Sequence, residues 1–167
     1  NGRGPVMGGA LDTAIISRLR MLPEEVYNSL PDGGEGLGIR LCRAAKTEVS
    51  VDAVIAAAAT KRYALSRLRR MIMCAALGIN SAAGEGTPPY IRVLAANEKG
   101  CAILKKMKEK ATVPVITKPA EINSLDPEAK ACFALESAAT DLFALGFSAR
   151  EERRGDRDYR ISPVIIK

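Results

Sequence analysis

The 167-residue chain contains no histidine. That absence removes the commonest general acid or base near neutral pH. It also excludes Ser-His and Cys-His nucleophilic pairs. There is no P-loop and no dense Asp/Glu cluster, so phosphate chemistry has no obvious centre. A free-standing enzyme built on carboxylates such as Asp32 and Glu35 is the weakest reading, and no catalytic residue is assigned. The four cysteines (Cys42, Cys74, Cys101, Cys132) never form a CxxC pair. Without paired soft ligands or histidine no metal site is expected, and the thiols read as buried and reduced. No apolar run approaches the roughly 18 residues of a membrane span. The start, NGRGPVMGGA, lacks the basic-then-apolar pattern of a signal peptide, which implies a cytoplasmic protein with no membrane partner. Residues 1–10 read as a flexible leader or the remnant of a cut.

What is present is an ordinary globular composition, 47% hydrophobic and 26% charged, with an uneven distribution of charge. Residues 1–50 carry six basic and six acidic groups, and residues 51–83 carry five against one. Residues 84–125 carry seven against four, and 126–167 seven against eight. The net charge of +6 therefore lies in the middle of the chain, which points to an anionic partner.

The periodicity predicts a helical lobe over 11–80. A stripe of Leu11, Ile15, Ile16 and Leu19 is stopped by Pro23, and Pro23-Glu-Glu-Val opens a short second helix. PDGGEGLG (31–38) breaks the pattern, and a helix resumes near Leu37 and runs through Ala45. Ser50 suits the N-cap of Val51–Ala59, and another helix spans Tyr63–Leu77 with Gly78 as its stop. SAAGEGTPP (81–89) reads as a linker.

Residues 90–167 read as a small α/β lobe. YIRVLAA (90–96) is a strand, 97–111 an amphipathic helix with Ile103, Leu104 and Met107 on one side, and VPVITK (113–118) a strand. That order is a βαβ unit. EAKACFALESAATDLFALGF (128–147) is a long helix buried on much of its surface, RGDRDYR a polar loop, and ISPVIIK an edge strand because Pro163 cannot donate to a ladder. The fold class is α+β, mainly α, with a short sheet of two or three strands.

TKRYALSRLRR (60–70) holds five Lys or Arg residues and no acid. On a helical wheel Ala64, Leu65, Leu68, Met71, Ile72, Ala75 and Ile79 form the buried stripe. Tyr63, Arg67 and Arg70, at i, i+4 and i+7, form an outward row, with Arg62 and Arg69 along one flank. Guanidinium forks grip phosphate oxygens and a phenol ring offers a face to an unpaired base. The expected nucleic-acid contacts are Lys61, Arg62, Tyr63, Arg67, Arg69 and Arg70; the bland alternative is a solvated face paired with acids elsewhere in the fold. The helix containing Lys105, Lys106, Lys108 and Lys110 reads as such a face. PDGGEGLGIRL is either an anion-binding turn or a plain connector, and Glu35 is free to pair with Arg40 or to cap the next helix.

Five segments in order, PDGGEGLGIRL, TKRYALSRLRR, PPYIRVLAANEKG, VPVITKP and SAATDLFALGF, together with the terminal DYRISPVIIK, resemble the C-terminal part of the bacterial tRNA(Met) cytidine acetate ligases. These are nucleotidyltransferase-like proteins, and the match runs from about Ile15 to Lys167. The resemblance implies a parent enzyme that forms acetyl-adenylate from ATP and acetate, then acetylates N4 of the wobble cytidine of elongator tRNA(Met). It implies that ATP is handled by an N-terminal nucleotidyltransferase domain with a HIGH-like motif, which a chain without histidine lacks. It implies tRNA as partner of Lys61, Arg62, Tyr63, Arg67 and Arg70. It also implies a role for Glu35, Gly36, Leu37 and Arg40, either lining the ATP cleft or docking that domain. No cofactor is expected in this chain. A docking module whose basic helix binds an acidic protein surface, such as the nucleotidyltransferase domain, is the competing expectation.

Overall fold

The computed structural model describes residues 9–80 and 88–146 and the backbone of the strand at 164–166. The expected leader before Gly9, most of the expected linker and the RGDRDYR loop lie outside the described residues. The chain divides into two units, residues 1–85 and 86–167. The architecture is α+β and mainly helical, a helical lobe followed by a small α/β lobe.

Among the described residues the first unit holds five helices: α1 (Gly9–Met21), α2 (Glu24–Ser29), α3 (Leu37–Thr47), α4 (Val51–Ala58) and α5 (Leu65–Leu77). The stripe of Leu11, Ile15, Ile16 and Leu19 is buried as the spacing requires. It meets Leu37 and Leu41 of α3, Val54 of α4, and Leu68, Met71 and Ile72 of α5 in the core. Each fully buried aliphatic side chain contributes roughly 1.5–3 kcal/mol. Tyr27 of α2 is completely buried, and its hydroxyl donates to the Leu19 carbonyl at 2.5 Å, joining α2 to the end of α1. Burial, with a smaller effect of Cys42, pushes the Tyr27 phenol up to about 12.

Close approach of α2 and α3 accounts for two glycines of the PDGGEGLG stretch. A Cβ on Gly38 would sit 2.7 Å from the Tyr27 carbonyl carbon, and one on Gly33 would sit 2.7 Å from the Tyr27 oxygen. Polar side chains of α1 then close the ends of its neighbours. Asp12 accepts from Val51 N–H at 2.8 Å, at the positive end of α4. Arg18 donates to the Ala76 carbonyl at 2.6 Å, at the negative end of α5. Arg20 donates to the Ala45 and Glu48 carbonyls, at the negative end of α3. Each charge has the sign that the helix dipole favours. Ser50 caps α4 through Ala53 N–H at 3.1 Å, and Gly78 ends α5 in the left-handed conformation.

In the second unit the expected strand at 90–96 is two short strands, β1 (Ile91–Arg92) and β2 (Ala95–Asn97). Helix α6 (Glu98–Lys110) leads to β3 (Val115–Ile116), which pairs parallel to β1 with Ile91 opposite Val115. This is the predicted βαβ crossover. β4 (Val164–Ile166) pairs parallel to β2 instead, so the strands form two separate pairs. Helix α7 (Pro127–Ala144) is capped by Asp126, which accepts from Ala129 N–H at 2.8 Å.

Among the described residues the core here comprises Tyr90, Ile116, Leu125 and Ala129, flanked by Ile122, Cys132 and Phe133. Within α7 only Ala129 and Leu142 are buried, which corrects the expectation of a largely buried helix. The remaining described residues of α7 are half-buried or exposed. Tyr90 donates to Glu136 at 2.6 Å, and burial drives its phenol strongly upward. Ile103, Leu104 and Met107 of α6 line an apolar groove of about 480 Å³ with Val93 and β2. Among the described residues, no helix is long and apolar enough to cross a membrane. The four cysteines are free; only Cys42 is buried, while Cys74, Cys101 and Cys132 are half-buried, so the expectation of buried thiols holds at one position.

Candidate functional site

The turn at residues 31–36 and the segment at 61–70 come together in the first unit. In the turn Asp32 (φ 66°), Glu35 (φ 60°) and Gly36 (φ 77°) all adopt the left-handed conformation. Glycine does so freely, but each L side chain costs about 1–2 kcal/mol there. Aspartate tolerates the conformation better than glutamate does. The turn therefore holds two carboxylates in place by its backbone, and both reach residues about thirty positions later.

Arg62 Nη2 lies 3.1 Å from both oxygens of the Glu35 carboxylate. The Tyr63 hydroxyl donates to the same carboxylate at 3.3 Å, with a longer contact to the Glu35 carbonyl at 3.4 Å. Arg67 donates through Nη2 and Nε to the Asp32 carbonyl at 2.7 and 3.3 Å. Its guanidinium carbon lies 5.0 Å from the centre of the Tyr63 ring, a cation–π contact. Arg70 Nη1 lies 3.5 Å from the Asp32 carboxylate. Beside this pair, burial pushes the Cys74 thiol up, and the Arg70 guanidinium opposes that shift.

This geometry corrects the sequence reading at several points. Helix α5 begins at Leu65, so Tyr63 sits in the preceding turn. Tyr63 is buried at 9% exposure and offers no open ring face. It closes the start of the buried stripe, which runs through Leu68, Met71, Ile72 and Ala75 while Leu65 is 51% exposed. Ala64 is likewise exposed and Ile79 half-buried. The row of Tyr63, Arg67 and Arg70 is not unpaired: Asp32 and Glu35 of the same unit engage it. Glu35 pairs with Arg62, not with Arg40. Leu37 is fully buried as core, Gly36 is the left-handed residue that opens α3, and Arg40 is exposed on that helix.

The pairs lie at the surface. Arg62 and Arg70 side chains keep 71% and 66% exposure, so each contact is worth about 0–1 kcal/mol and leaves donors facing solvent. Lys61 and Arg69 are exposed with no acid partner among the described residues, as are Arg40, Arg43 and Lys46 on α3. The same helix-end contacts that use Arg18 and Arg20 remove those two from the binding inventory. Sequence reasoning missed Asp32 as the partner of Arg67 and Arg70, because no spacing rule links positions 35 or more residues apart. Among the described residues no group of three or more Cys, Asp or Glu side chains is arranged to hold a metal ion.

The site is a surface cluster of guanidiniums held against the Asp32 and Glu35 turn. The model of a HIGH nucleotidyl transferase matches residues 2–158. The chain belongs to that family. A relative of this nucleotidyl transferase family, the tRNA(Met) cytidine acetate ligase of Acetivibrio thermocellus, is 28% identical over 99% of this chain and 41% of its own length. The protein of the same name from Alkaliphilus metalliredigens is 32% identical over 98% of this chain and 40% of its own length. Among solved structures, Thermotoga maritima TmcAL bound with alpha-thio ATP superposes with a TM-score of 0.83 at 26% identity. It covers 99% of this chain and 43% of that one. The chain thus spans about two fifths of the length of the curated relatives it matches.

Proposed function

We propose that this chain is the tRNA-binding, C-terminal portion of an ATP-dependent tRNA-modifying ligase. The parent joins acetate to ATP as acetyl-adenylate and acetylates N4 of the wobble cytidine of elongator tRNA(Met). ATP belongs to the nucleotidyltransferase domain of that parent, and this chain supplies grip on the RNA. What supports the reading is the cluster at 61–70, where three guanidiniums are fixed side by side and the ion-paired Arg62 and Arg70 stay largely exposed while Arg67 is half-buried. Lys61 and Arg69 extend it with charges that no acid of the described residues neutralises. Arg62, Arg67 and Arg70 contact phosphates, and Tyr63 acts indirectly, as the ring that holds Arg67 in position.

The test is binding of unmodified tRNA(Met) transcript to the chain across a salt series, with Lys61→Glu and Arg69→Glu combined. Among the described residues these two have no ion-pair partner, so the variant is expected to keep its fold. The affinity is expected to fall about tenfold or more, and the slope of log K against log salt to become shallower by about 0.7–0.9 per contact removed. Unchanged binding and slope sink the reading.

A second reading, docking to an acidic protein surface, is favoured by the exposed Leu65 and Met73 on the same helix as the arginines. It wins if the nucleotidyltransferase domain needs Lys61 and Arg69 for association and tRNA does not compete.

A further inference from the structure

The arginines at 62, 67 and 70 already hold oxygens of their own chain. Each acceptor resembles what a phosphodiester offers: a carboxylate on Arg62, a second carboxylate on Arg70, and a carbonyl oxygen gripped by two nitrogens of Arg67. The acids are held in place by the left-handed turn that carries them, with Asp32 and Glu35 three residues apart on either side of two glycines. The pairs are solvent-open, and the Arg70 contact is loose at 3.5 Å. A polyanion therefore reaches the same guanidiniums, and must exchange for the carboxylates to use their full donor set.

We infer that Asp32 and Glu35 are affinity-setting residues that compete with the RNA backbone for Arg62 and Arg70. This rests on the RNA-binding reading above and adds to it a built-in threshold. A ligand that brings one isolated negative charge exchanges with one acid and leaves the other in place. A chain of phosphates displaces both together, at the cost of two weak ion pairs. Arg67 behaves differently. Its partner is a backbone carbonyl, which carries no formal charge and is retained whatever side chain stands at position 32. It keeps the segment seated while its neighbours change partners.

The experiment combines Asp32→Asn with Glu35→Gln in the full 167-residue chain. Asparagine suits the left-handed conformation at position 32, and both substitutions keep side-chain volume. The readout is binding of tRNA(Met) transcript across a salt series, with thermal unfolding as the folding control. Binding is expected to tighten about three- to tenfold at low salt, as two exposed pairs are removed. The salt slope is expected to steepen, because no freed carboxylate recaptures cations. Unchanged or weaker binding at wild-type melting temperature overturns the inference and makes the acids positioning residues. If the double variant melts early, the single Glu35→Gln variant is read in the same way. The RNA reading fails separately: tRNA binding that ignores Lys61→Glu/Arg69→Glu overturns both. Binding that falls in that variant and is unmoved by the acid substitutions overturns the competition alone.

Discussion

Arg18 of α1 reaches across the first unit to the Ala76 carbonyl, 58 residues away, and closes the C-terminal end of α5 with a 2.6 Å charged hydrogen bond. With Asp12 on the N-terminal end of α4 and Arg20 on the C-terminal end of α3, it makes one helix the terminus of three others. The basic segment at the start of α5 therefore stands on a helix anchored from its far end.

Arg18→Met keeps much of the side-chain length but leaves the Ala76 carbonyl without its charged donor. The expected loss is about 1–2 kcal/mol of stability, seen as a lower midpoint in urea followed by circular dichroism. Arg69→Met, which removes an equal charge that has no partner among the described residues, is expected to stay within about 0.5 kcal/mol of wild type. Equal effects from the two would show that the helix-end contact contributes nothing.

Gly38→Ala forces a methyl group against the Tyr27 backbone, with its carbon 2.7 Å from the carbonyl carbon. Backbone cannot move aside as a flexible side chain does, so α2 and α3 must separate. The expected cost is about 1–3 kcal/mol or more, measured by chemical denaturation. Gly34→Ala, where an added methyl meets nothing within 4 Å, is the control expected to cost little.

Glu121 gives the second unit an acid-sensitive point. Burial alone would raise its pKa. The Lys108 ammonium at 2.7 Å and the N–H groups of Thr117 and Lys118 outweigh that and bring it down to about 2, from an ordinary value of 4.5. A depressed folded-state value means that the unfolded chain takes up the proton first as pH falls. The contribution is full above about 4.5 and is lost as pH drops through about 2. Glu121→Gln is expected to lower the melting temperature at neutral pH and to flatten its decline across that window. The difference shrinks with added salt, since both partners are about one-third exposed. An acid decline as steep in the variant as in wild type contradicts the assignment.

Much of the fold was legible because local rules decided it. The apolar stripe of α1, the Ser50 cap, the Gly78 stop, the βαβ order and the break at 31–36 all follow from spacing, capping and backbone preference. Where the reading failed, partners distant in sequence were responsible. Tyr63 was expected outside because a helix wheel extended two residues too far put it opposite Leu68. In the structure the chain turns before Leu65 and carries the ring inward, to the Glu35 carboxylate. The row of Tyr63, Arg67 and Arg70 reads as unpaired because its own stretch contains no acid, yet its acids come from a turn about thirty residues earlier. The pairing of β4 with β2, away from β1 and β3, has the same character.

The sequence by itself determined that five helices precede a βαβ unit, that positive charge concentrates at 61–70, and that no histidine-based chemistry resides in these residues. These properties need only composition and the periodicity of neighbouring residues. Tertiary structure alone decided that Tyr63 is buried, that Arg18 and Arg20 serve helix ends, and that Asp32 and Glu35 occupy the guanidiniums. Such contacts depend on which surfaces close packing brings together, and nothing in the local order of residues specifies them.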